Sequence, residues 1–324
     1  MGKRPIDVGL IITTVEDRER NWTLSWPEIR ELVTTGEAVG FDSVWIPDHL
    51  IHEPEGVDPY GIWEAWSLIS ALAAVTERVR IGPHVLCTGW RNPALIAKMA
   101  DTVDEITAGR LVLALGAGWH EPEYRAFGFP FDHRIGRFAE ALEIIVPLIK
   151  TGNVTFRGEF YQAIDCELRP RGPRPEGPPI MIGTIAGTPL GGWLGIERGG
   201  NRVLDLVARY ADIWNCPIVN DPALIPGIRD MIDIACVNND RDPATLIRTN
   251  GVAFNLPGWE STPGNPNIRA RRLAMGATEG DPGELAELLM AFAEHGVAEV
   301  HVQLDPETPA GIEQFARTLE ILDT

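Results

Sequence analysis

Short apolar runs alternate with longer amphipathic segments along the whole chain. The short runs have the length and β-rich composition of buried strands, and in the segments between them apolar residues recur at helical spacing. The runs predict eight strands, at 6–12, 42–47, 79–86, 110–116, 179–183, 212–218, 248–256 and 299–304. The segments predict eight helices, at 27–39, 61–76, 93–107, 134–150, 201–210, 221–237, 281–295 and 309–321.

Proline supports several of the predicted helix starts. Pro27, Pro93, Pro282 and Pro309 each stand at a first helical position, and the residue before most of them can act as a cap. Nearly continuous apolar strands that alternate with helices are typical of a closed parallel barrel rather than an open sheet. We therefore predict an α/β fold, a (β/α)8 TIM barrel, with residues 1–324 forming a single domain.

Three insertions interrupt the regular alternation. The first, within 151–177, contains NVTFRGEFYQAI, whose alternation around a central Arg-Gly predicts a β-hairpin after strand four. The second is the Gly-rich loop 184–200 after strand five, and the third is the long Gly- and Pro-rich loop 255–280 after strand seven. Long loops of this kind are lids or recognition elements in some proteins and plain surface loops in others.

Charge and cysteine content narrow the classes of partner. The chain has 28 Lys and Arg against 46 Asp and Glu, a formal charge of −18, which argues against nucleic acid or an anionic membrane as the main partner. No apolar run reaches the length of a membrane span, and the N-terminus lacks the pattern of a secretory signal. The four cysteines lie far apart without a Cys-x-x-Cys pair, so we expect a reducing, cytoplasmic location.

The stretch VWIPDHLIHEPEG places acidic and imidazole side chains directly after strand two. Active sites of barrel enzymes lie at the C-terminal ends of the strands, so Asp48 and His49 should face the barrel mouth. A metal site would need three or four ligands, and His52 and Glu53 follow without a regular ligand spacing, so no metal is expected. Two readings remain: Asp48 stabilises the turn beside a structural histidine, or His49 transfers a proton next to a redox-active ring, oriented by Asp48 or its neighbours.

Two glycine-containing stretches are further candidates for ligand contacts. After strand four comes GAGWHEPEY, in which Gly116 and Gly118 allow a ligand to approach the main chain. The residues that then cluster at the mouth are Trp119, His120, Glu121, Glu123 and Tyr124. After strand five, the Gly-rich loop leads into a helix at 201 whose first N–H groups could hold a phosphate, although a loop without a ligand would look similar. Neither stretch has the spacing of a Rossmann fingerprint or a P-loop.

Taken together and in order, these stretches resemble the bacterial luciferase-like oxidoreductase superfamily, the luciferase-like monooxygenases. The similarity is greatest to its branch of enzymes that depend on the deazaflavin coenzyme F420. The motifs that carry it are FDSVWIPDHL, TGWRNPALIAKMADTVDEITAGRLVLALGAGWHEPEYRAFGFPF, RIGRFAEALEII, VTFRGEFYQ, and PPIMIG followed by LVARYADIWN. The resemblance covers residues 6 to about 220 and continues more loosely to the end.

The resemblance implies a barrel that holds a flavin or deazaflavin at its mouth and assembles as a homodimer. It also implies a cis peptide bond between His84 and Val85 behind the central ring of the cofactor, and a phosphate loop after strand five. The cofactor-binding residues expected from the patterns and the resemblance together are Asp48, His84, Val85, Gly116, Gly118, Gly183, Thr184, Gly199, Gly200 and Asn201.

Two departures from the family pattern bear on the substrate. F420-dependent sugar-phosphate dehydrogenases have a glutamate directly after the strand-four Gly-x-Gly, where this chain has Trp119. His120 or Glu121 could replace that acid, but sugar-phosphate oxidation is disfavoured. The other departure is the insertion TPLGGWLGIERGG before the helix at 201, which could alter or cover the phosphate site.

Three functions are therefore weighed. The first is F420-dependent hydride transfer to or from a small organic substrate, with His49 exchanging the proton. The alternative uses FMN, reduced by a separate flavin reductase, to activate O₂ and insert one oxygen atom. The aromatic residues Trp90, Trp119, Phe127 and Trp193 would then shield the ring from water, unless they serve as packing residues. The third is a catalytically inactive barrel with a flavin-binding or structural role.

Overall fold

We describe the protein from a computed structural model. It describes residues 4–16, 22–53, 59–184, 200–216, 218–258 and 276–324, and the structural statements below concern these residues. The strands are β1 (Asp7–Ile11), β2 (Ser43–Ile46), β3 (Ile51–His52), β4 (Tyr60–Gly61), β5 (Arg80–Pro83), β6 (Leu86–Cys87), β7 (Leu113–Gly116), β8 (Asn153–Arg157), β9 (Gln162–Glu167), β10 (Ile180–Gly183), β11 (Ile213–Cys216), β12 (Ile247–Asn255), β13 (Thr278–Glu279) and β14 (Glu299–Asp305). The helices are α1 (Trp26–Val39), α2 (Ala65–Ala73), α3 (Pro93–Ile106), α4 (Glu121–Phe127), α5 (Arg134–Thr151), α6 (Gly200–Tyr210), α7 (Ile225–Asn238), α8 (Pro282–Glu294) and α9 (Pro309–Leu322).

The main sheet is a closed parallel barrel. Its strands follow the order β5-β2-β1-β14-β12-β11-β10-β7-β6, and each neighbouring pair in this order is parallel. The two ends of the order, β5 and β6, are the two halves of the predicted third strand, and a parallel bridge between Ile81 and Leu111 joins β5 to the segment before β7. Helices follow the strands and cover the outer face, so the (β/α)8 prediction is confirmed.

The barrel strands are buried on both faces. Inside the barrel, a compact cluster is formed by Ile11, Trp45, Val112, Ala114, Met181 and Ile213. Outside it, a much larger cluster joins the opposite strand faces to the apolar faces of the helices, as Val8 and Leu10 of β1 do. Because both faces need apolar residues, these strands appear in the sequence as nearly continuous apolar runs.

Local signals fix where the helices begin. Ser25 and Asp281 each form a capping box with a glutamate three residues later, and Asn92 accepts a hydrogen bond from Leu95 N–H. Pro93, Pro282 and Pro309 occupy the first helical positions as predicted, because proline needs no hydrogen-bond partner there. Pro27 is the second residue of its helix, which begins at Trp26.

The structure corrects two predicted elements. The predicted third strand is divided into β5 and β6, and the peptide bond between His84 and Val85, which separates them, is cis at the position that the resemblance indicated. The predicted helix from residue 61 begins only at Ala65, because β4 pairs with β3 and Glu64 caps the helix by accepting from Trp66 and Ser67 N–H. The short helix α4 and the β3–β4 pair were not predicted.

The insertions lie beside the barrel. The predicted hairpin is confirmed as β8 paired antiparallel with β9. Most of the predicted loop 184–200 and residues 259–275 of the loop 255–280 lie outside the described residues. Among the described residues, no helix is long and apolar enough to cross a membrane.

Candidate active site

The candidate site lies at the C-terminal end of the barrel. Because the strands are parallel, the residues that follow β2, β5, β7 and β10 meet at the same end. Asp48 and His49 follow β2, His84 and Val85 follow β5, and the residues from 117 follow β7. The structure therefore brings these stretches to one end of the barrel.

His49 is held by the buried carboxylate of Glu123, a residue that the sequence placed at the mouth but did not pair with His49. Its Nδ1 lies 2.7 Å from Oε1 of Glu123, and the other oxygen, Oε2, accepts a hydrogen bond from Leu50 N–H at 2.6 Å. The side chain of Glu123 is fully buried, whereas that of His49 is 23% exposed. A carboxylate that accepts at Nδ1 keeps the proton on that nitrogen, which leaves Nε2 able to accept a proton from a bound molecule.

Asp48 contacts different partners from those of His49. Its carboxylate receives two hydrogen bonds from Arg91, at 2.8 and 3.0 Å, and a third from Cys87 N–H at 2.7 Å. Arg91 also contacts Glu64, the cap of α2, at 2.5 Å. This buried network joins the turn after β2 to β6 and to the start of α2, so Asp48 stabilises the loops that present His49.

Aromatic rings line one side of the mouth around His49. The ring centroid of Trp119 lies 5.8 Å from that of His49 and 6.0 Å from that of His52. His52 stacks on His120 at 5.0 Å, and Nε2 of His120 accepts a hydrogen bond from Glu53 N–H at 3.0 Å. Burial lowers the pKa of His120, so this imidazole is neutral and acts as an acceptor within the wall.

Other predicted candidates lie further from His49. Glu121 is exposed at the start of α4. Trp90 is buried and packs on Tyr124, with ring centroids 5.7 Å apart, while Phe127 is 52% exposed at the end of α4. Trp193 lies outside the described residues. Of the four aromatic residues considered as a shield, only Trp119 is described in contact with His49.

The floor of the mouth is formed by Val85 and two glycines. Val85 packs on the interior cluster, and Cβ atoms built at Gly116 and Gly183 would lie 2.6 and 2.9 Å from its methyl carbons. These distances are too short for any side chain larger than glycine without a shift. Val85, Gly183 and Thr184 are partly exposed, so the floor offers an accessible apolar contact of the kind that one face of a ring can use.

The predicted phosphate loop is only partly described. Thr184 N–H donates to the carbonyl of Asn215 at 3.2 Å, so this amide already has a partner. Gly200 is the first residue of α6 and Asn201 the second, and Gly199 lies outside the described residues. The first N–H groups of a helix lack partners within it and favour anions, so the start of α6 fits a phosphate.

Neither metal nor thiol chemistry gains support from the described residues. Among them, no group of three or more His, Cys, Asp or Glu side chains could hold a metal ion. Cys87 lies near the mouth, with its Sγ 2.9 Å from the hydroxyl of Tyr124, and burial raises the pKa of its thiol to about 12. This cysteine therefore remains protonated and is not activated as a nucleophile.

The sequence placed Glu123 at the mouth but did not show its partner. Glu123 and Tyr124 are the buried residues of the short helix α4. The contact between Glu123 and His49 can be recognised only when this helix and its buried face are known. Arg91, which precedes the cap of α3, was missed because it carried no pattern of its own.

Comparisons with known proteins agree with this architecture. The sequence model of the luciferase-like monooxygenase family matches residues 6–246. An F420-dependent glucose-6-phosphate dehydrogenase of Amycolatopsis mediterranei is 36% identical over 170 residues, which are 50% of this chain and 48% of that protein. A pyrimidine monooxygenase, RutA, of Methylorubrum extorquens is 32% identical over 193 residues, which are 57% of this chain and 48% of that protein. The chain thus matches about half the length of these relatives.

A solved structure extends the similarity of the fold to the whole chain. It is an F420-dependent secondary alcohol dehydrogenase in complex with an F420-acetone adduct, with a TM-score of 0.75 and 18% sequence identity. The alignment covers 98% of this chain and 99% of that one. At this identity the likeness establishes the shared fold.

Proposed function

Because the chain belongs to the luciferase-like monooxygenase family, we propose that it is an oxidoreductase that binds coenzyme F420 and exchanges a hydride with a small organic substrate. The observation that carries this proposal is the pair of His49 and Glu123 at the same end of the barrel as the apolar floor at Val85. F420 is preferred because both a sequence relative and a structural neighbour depend on it.

The described residues suit a planar cofactor. Val85, with Gly116 and Gly183 beneath it, would support the ring, and the start of α6 at Gly200 and Asn201 would hold the phosphate. When bound, a deazaflavin supplies hydride transfer at a carbon atom. In this arrangement Asp48 acts on the cofactor site through the loop it stabilises with Arg91.

His49 would carry the proton that accompanies the hydride. With its Nδ1 proton directed at Glu123, the Nε2 nitrogen accepts a proton when the substrate is oxidised and returns it when the substrate is reduced. Glu123 stabilises the cationic imidazole in either direction, as a buried carboxylate does when it orients a catalytic histidine. Trp119, His52 and His120 form an aromatic wall that keeps water from one side of His49.

The alternative is a monooxygenase that uses reduced FMN and O₂. The similarity to a pyrimidine monooxygenase favours it, and it would require a separate flavin reductase as a partner. Since Trp90 packs in the protein rather than at the mouth, Trp119 is the described residue that would exclude water from the ring. Under this alternative His49 would exchange a proton with the substrate or the oxygen species.

We extend the proposal to the assembly and location of the protein. The resemblance supports a homodimer, and the absence of paired cysteine motifs supports a reducing, cytoplasmic location for one 324-residue domain. Light scattering coupled to size-exclusion chromatography measures the mass in solution. A mass of one 35.6 kDa chain would contradict the homodimer.

The test of the proposed function is a set of four equilibrium titrations. Purified apo protein is titrated with F420 and FMN, each oxidised and reduced, and binding is followed by fluorescence. Tight binding of F420 over FMN supports hydride transfer. A preference for reduced FMN makes the protein a monooxygenase, and binding of neither makes it an inactive barrel and ends the proposal.

A further inference from the structure

A chain of polar side chains crosses the interior of the barrel beneath the candidate site. It consists of Glu299 at the start of β14, His301 two residues later, and His84 directly after β5. Nδ1 of His301 lies 3.1 Å from Nε2 of His84, and Nε2 of His301 faces Oε1 of Glu299 at 3.7 Å, which is beyond hydrogen-bond distance. His301 is completely buried and Glu299 is 4% exposed, so these polar groups interact with each other and with their protein neighbours.

The neighbours of His301 determine which ring nitrogens carry protons. The amide nitrogen of Asn215 lies 2.9 Å from the Thr249 hydroxyl and 3.2 Å from Nδ1 of His301, and it can donate to both. Nδ1 of His301 is then an acceptor, and its proton stands on Nε2, which faces Glu299. Nδ1 of His301 presents a lone pair to Nε2 of His84, and two lone pairs would repel each other. His84 therefore carries its proton on Nε2.

The lower end of the chain is anchored at the bottom of the barrel. Glu299 accepts a hydrogen bond from the Ser43 hydroxyl, which itself accepts from Nε1 of Trp45 at 2.7 Å. Arg80 lies 3.2 Å from Glu299 and 2.8 Å from Asp7. These contacts fix Glu299 in one orientation and place a cation beside its charge.

The charge states make this chain static at neutral pH. Burial and the neighbouring His301 lower the pKa of His84 to about 3. Burial alone would raise the pKa of Glu299, but the N–H of His301 that faces it, with Arg80 and Ser43, lowers it to about 2. A proton passing along the chain would need a cationic His84, which the burial disfavours, so the chain holds groups in place instead of conducting protons.

The upper end of the chain meets the floor of the mouth. Val85 follows His84 directly, and its methyl groups lie over Gly116 and Gly183. Because the ring of His84 is directed inward to His301, its position is fixed from below while Val85 remains partly exposed at the mouth. The hydrogen bonds of His84 therefore control where Val85 stands.

We propose that His84 is a positioning residue: Nδ1 of His301, oriented by Asn215, accepts the proton on Nε2 of His84, and this hydrogen bond places Val85 as the floor of the cofactor site. The inference rests on the proposed function for the role of that floor. The positions of the ring protons are a property of the protein without bound cofactor, so they can be tested separately from the proposed function.

The first test is a nitrogen NMR measurement on the apo protein. With ¹⁵N-labelled histidine, the ring nitrogen shifts distinguish the two neutral forms and the cation, and single histidine variants assign the signals. We expect His84 to be neutral with the proton on Nε2 at pH 7, and to remain so at pH 5. A cationic His84, or one protonated on Nδ1, at pH 7 would overturn the proposal.

The second test compares His84→Leu with His84→Gln in cofactor titrations. Leucine removes the donor to His301, whereas the glutamine amide can replace it. We expect leucine to weaken cofactor binding about tenfold, the factor that corresponds to one lost hydrogen bond, and glutamine to retain most of the affinity. His301→Leu removes the same hydrogen bond from the other side and should weaken binding by a similar factor.

The outcomes separate this proposal from the proposed function. Wild-type affinity in folded His84→Leu and His301→Leu proteins overturns the positioning role. If neither variant folds, the nitrogen shifts of the wild-type protein decide whether the proposal stands. If the wild-type protein binds neither F420 nor FMN, the proposed function and the role of the floor both fail, while the shifts still test the arrangement of protons.

Discussion

At the scale of single residues, the pair of His49 and Glu123 is the centre of the proposed chemistry. The two residues stand 74 positions apart, yet their side chains meet at 2.7 Å beneath the barrel mouth. A buried carboxylate that receives Nδ1–H and a backbone N–H fixes both the rotamer and the tautomer of the imidazole. The roles of the two residues can therefore be separated by substitution.

Replacement of His49 by alanine should remove the proton-transfer group and leave the floor intact. We expect turnover to fall by about 10² to 10⁴, with cofactor affinity within a few-fold of wild type. Steady-state kinetics and cofactor titration on the same preparation measure both. Unchanged turnover would remove His49 from the reaction.

Glu123→Gln should act through His49. The amide keeps the shape of the side chain but loses the charge that stabilises the cationic imidazole. We expect kcat to fall by about tenfold, the worth of one charge-assisted hydrogen bond, with no change in KM for the substrate. Glu123→Asp keeps the charge and should recover part of the loss. If kcat were lost to the same extent in both variants, the charge would not be the cause.

At the scale of elements, the ion pair of Asp48 and Arg91 joins the loops that follow β2 and β6. The Asp48 side chain is fully buried and that of Arg91 is 13% exposed. Removal of one partner leaves an uncompensated charge in the interior, which is far more costly than loss of an exposed pair. Asp48 is thus required for the loop geometry that places His49.

Arg91→Met tests this requirement. We expect the free energy of unfolding to fall by about 3–5 kcal/mol, because Asp48 is left buried and unpaired. Arg209→Met is the matched control, since Arg209 and its partner Glu143 are 50% and 43% exposed. Arg209→Met should lower the free energy of unfolding by no more than roughly 1 kcal/mol, as for other exposed ion pairs. Urea titrations of both variants give the comparison, and equal losses would contradict the interpretation.

The contact between β7 and the segment after β5 gives a second test at this scale. A Cβ at Gly116 would lie 2.6 Å from a methyl carbon of Val85, so Gly116→Ala should cost about 1–3 kcal/mol of stability by overpacking. It should also weaken cofactor binding by displacing Val85. Gly227→Ala in α7 is the control, because nothing lies within 4 Å of its added Cβ.

A double variant identifies the cause of the loss at Gly116. Val85→Ala removes the two methyl groups that the new Cβ would meet. Adding it to Gly116→Ala should recover part of the stability lost by Gly116→Ala alone, as expected for residues in direct contact. Strictly additive losses in urea titrations would show that the two side chains do not compete for the same space.

At the scale of the whole molecule, the buried chain beneath the floor makes stability depend on pH. The pKa of His84 is about 3 in the folded protein and about 6.5 when the chain is unfolded, so between these values the unfolded state binds one more proton. Stability should therefore fall as pH decreases from 6.5, by up to about 1.4 kcal/mol per pH unit. Glu299, with its pKa lowered to about 2, adds to the loss only below pH 4.5.

Urea titrations between pH 5 and 6.5 isolate the contribution of His84. His84→Gln keeps a donor to His301 but cannot titrate, so its stability should decrease less steeply with falling pH than that of the wild-type protein. His120, whose pKa is also lowered, contributes equally to both proteins and cancels in the comparison. Parallel curves for the two proteins would contradict the predicted charge state of His84.

The sequence by itself determined the order of the elements and the end of the barrel at which the chemistry lies. Strands buried on both faces must be apolar throughout, and helices packed on one side must be amphipathic, so each strand and each helix leaves its own pattern. Parallel strands then bring their C-terminal ends together, which placed Asp48 and His49 at the mouth. Gly116 and Gly118 were recognisable as places where a ligand could approach the main chain.

Only the tertiary structure decided which side chains act together. Glu123 meets His49 across 74 residues, Arg91 meets Asp48 across 43, and His84 meets His301 across 217. Such pairs depend on the angle at which strands and loops cross, and that angle follows from packing over the whole barrel rather than from any local pattern. The sequence located the stretches that carry the candidate site, and the closed barrel assigned their partners.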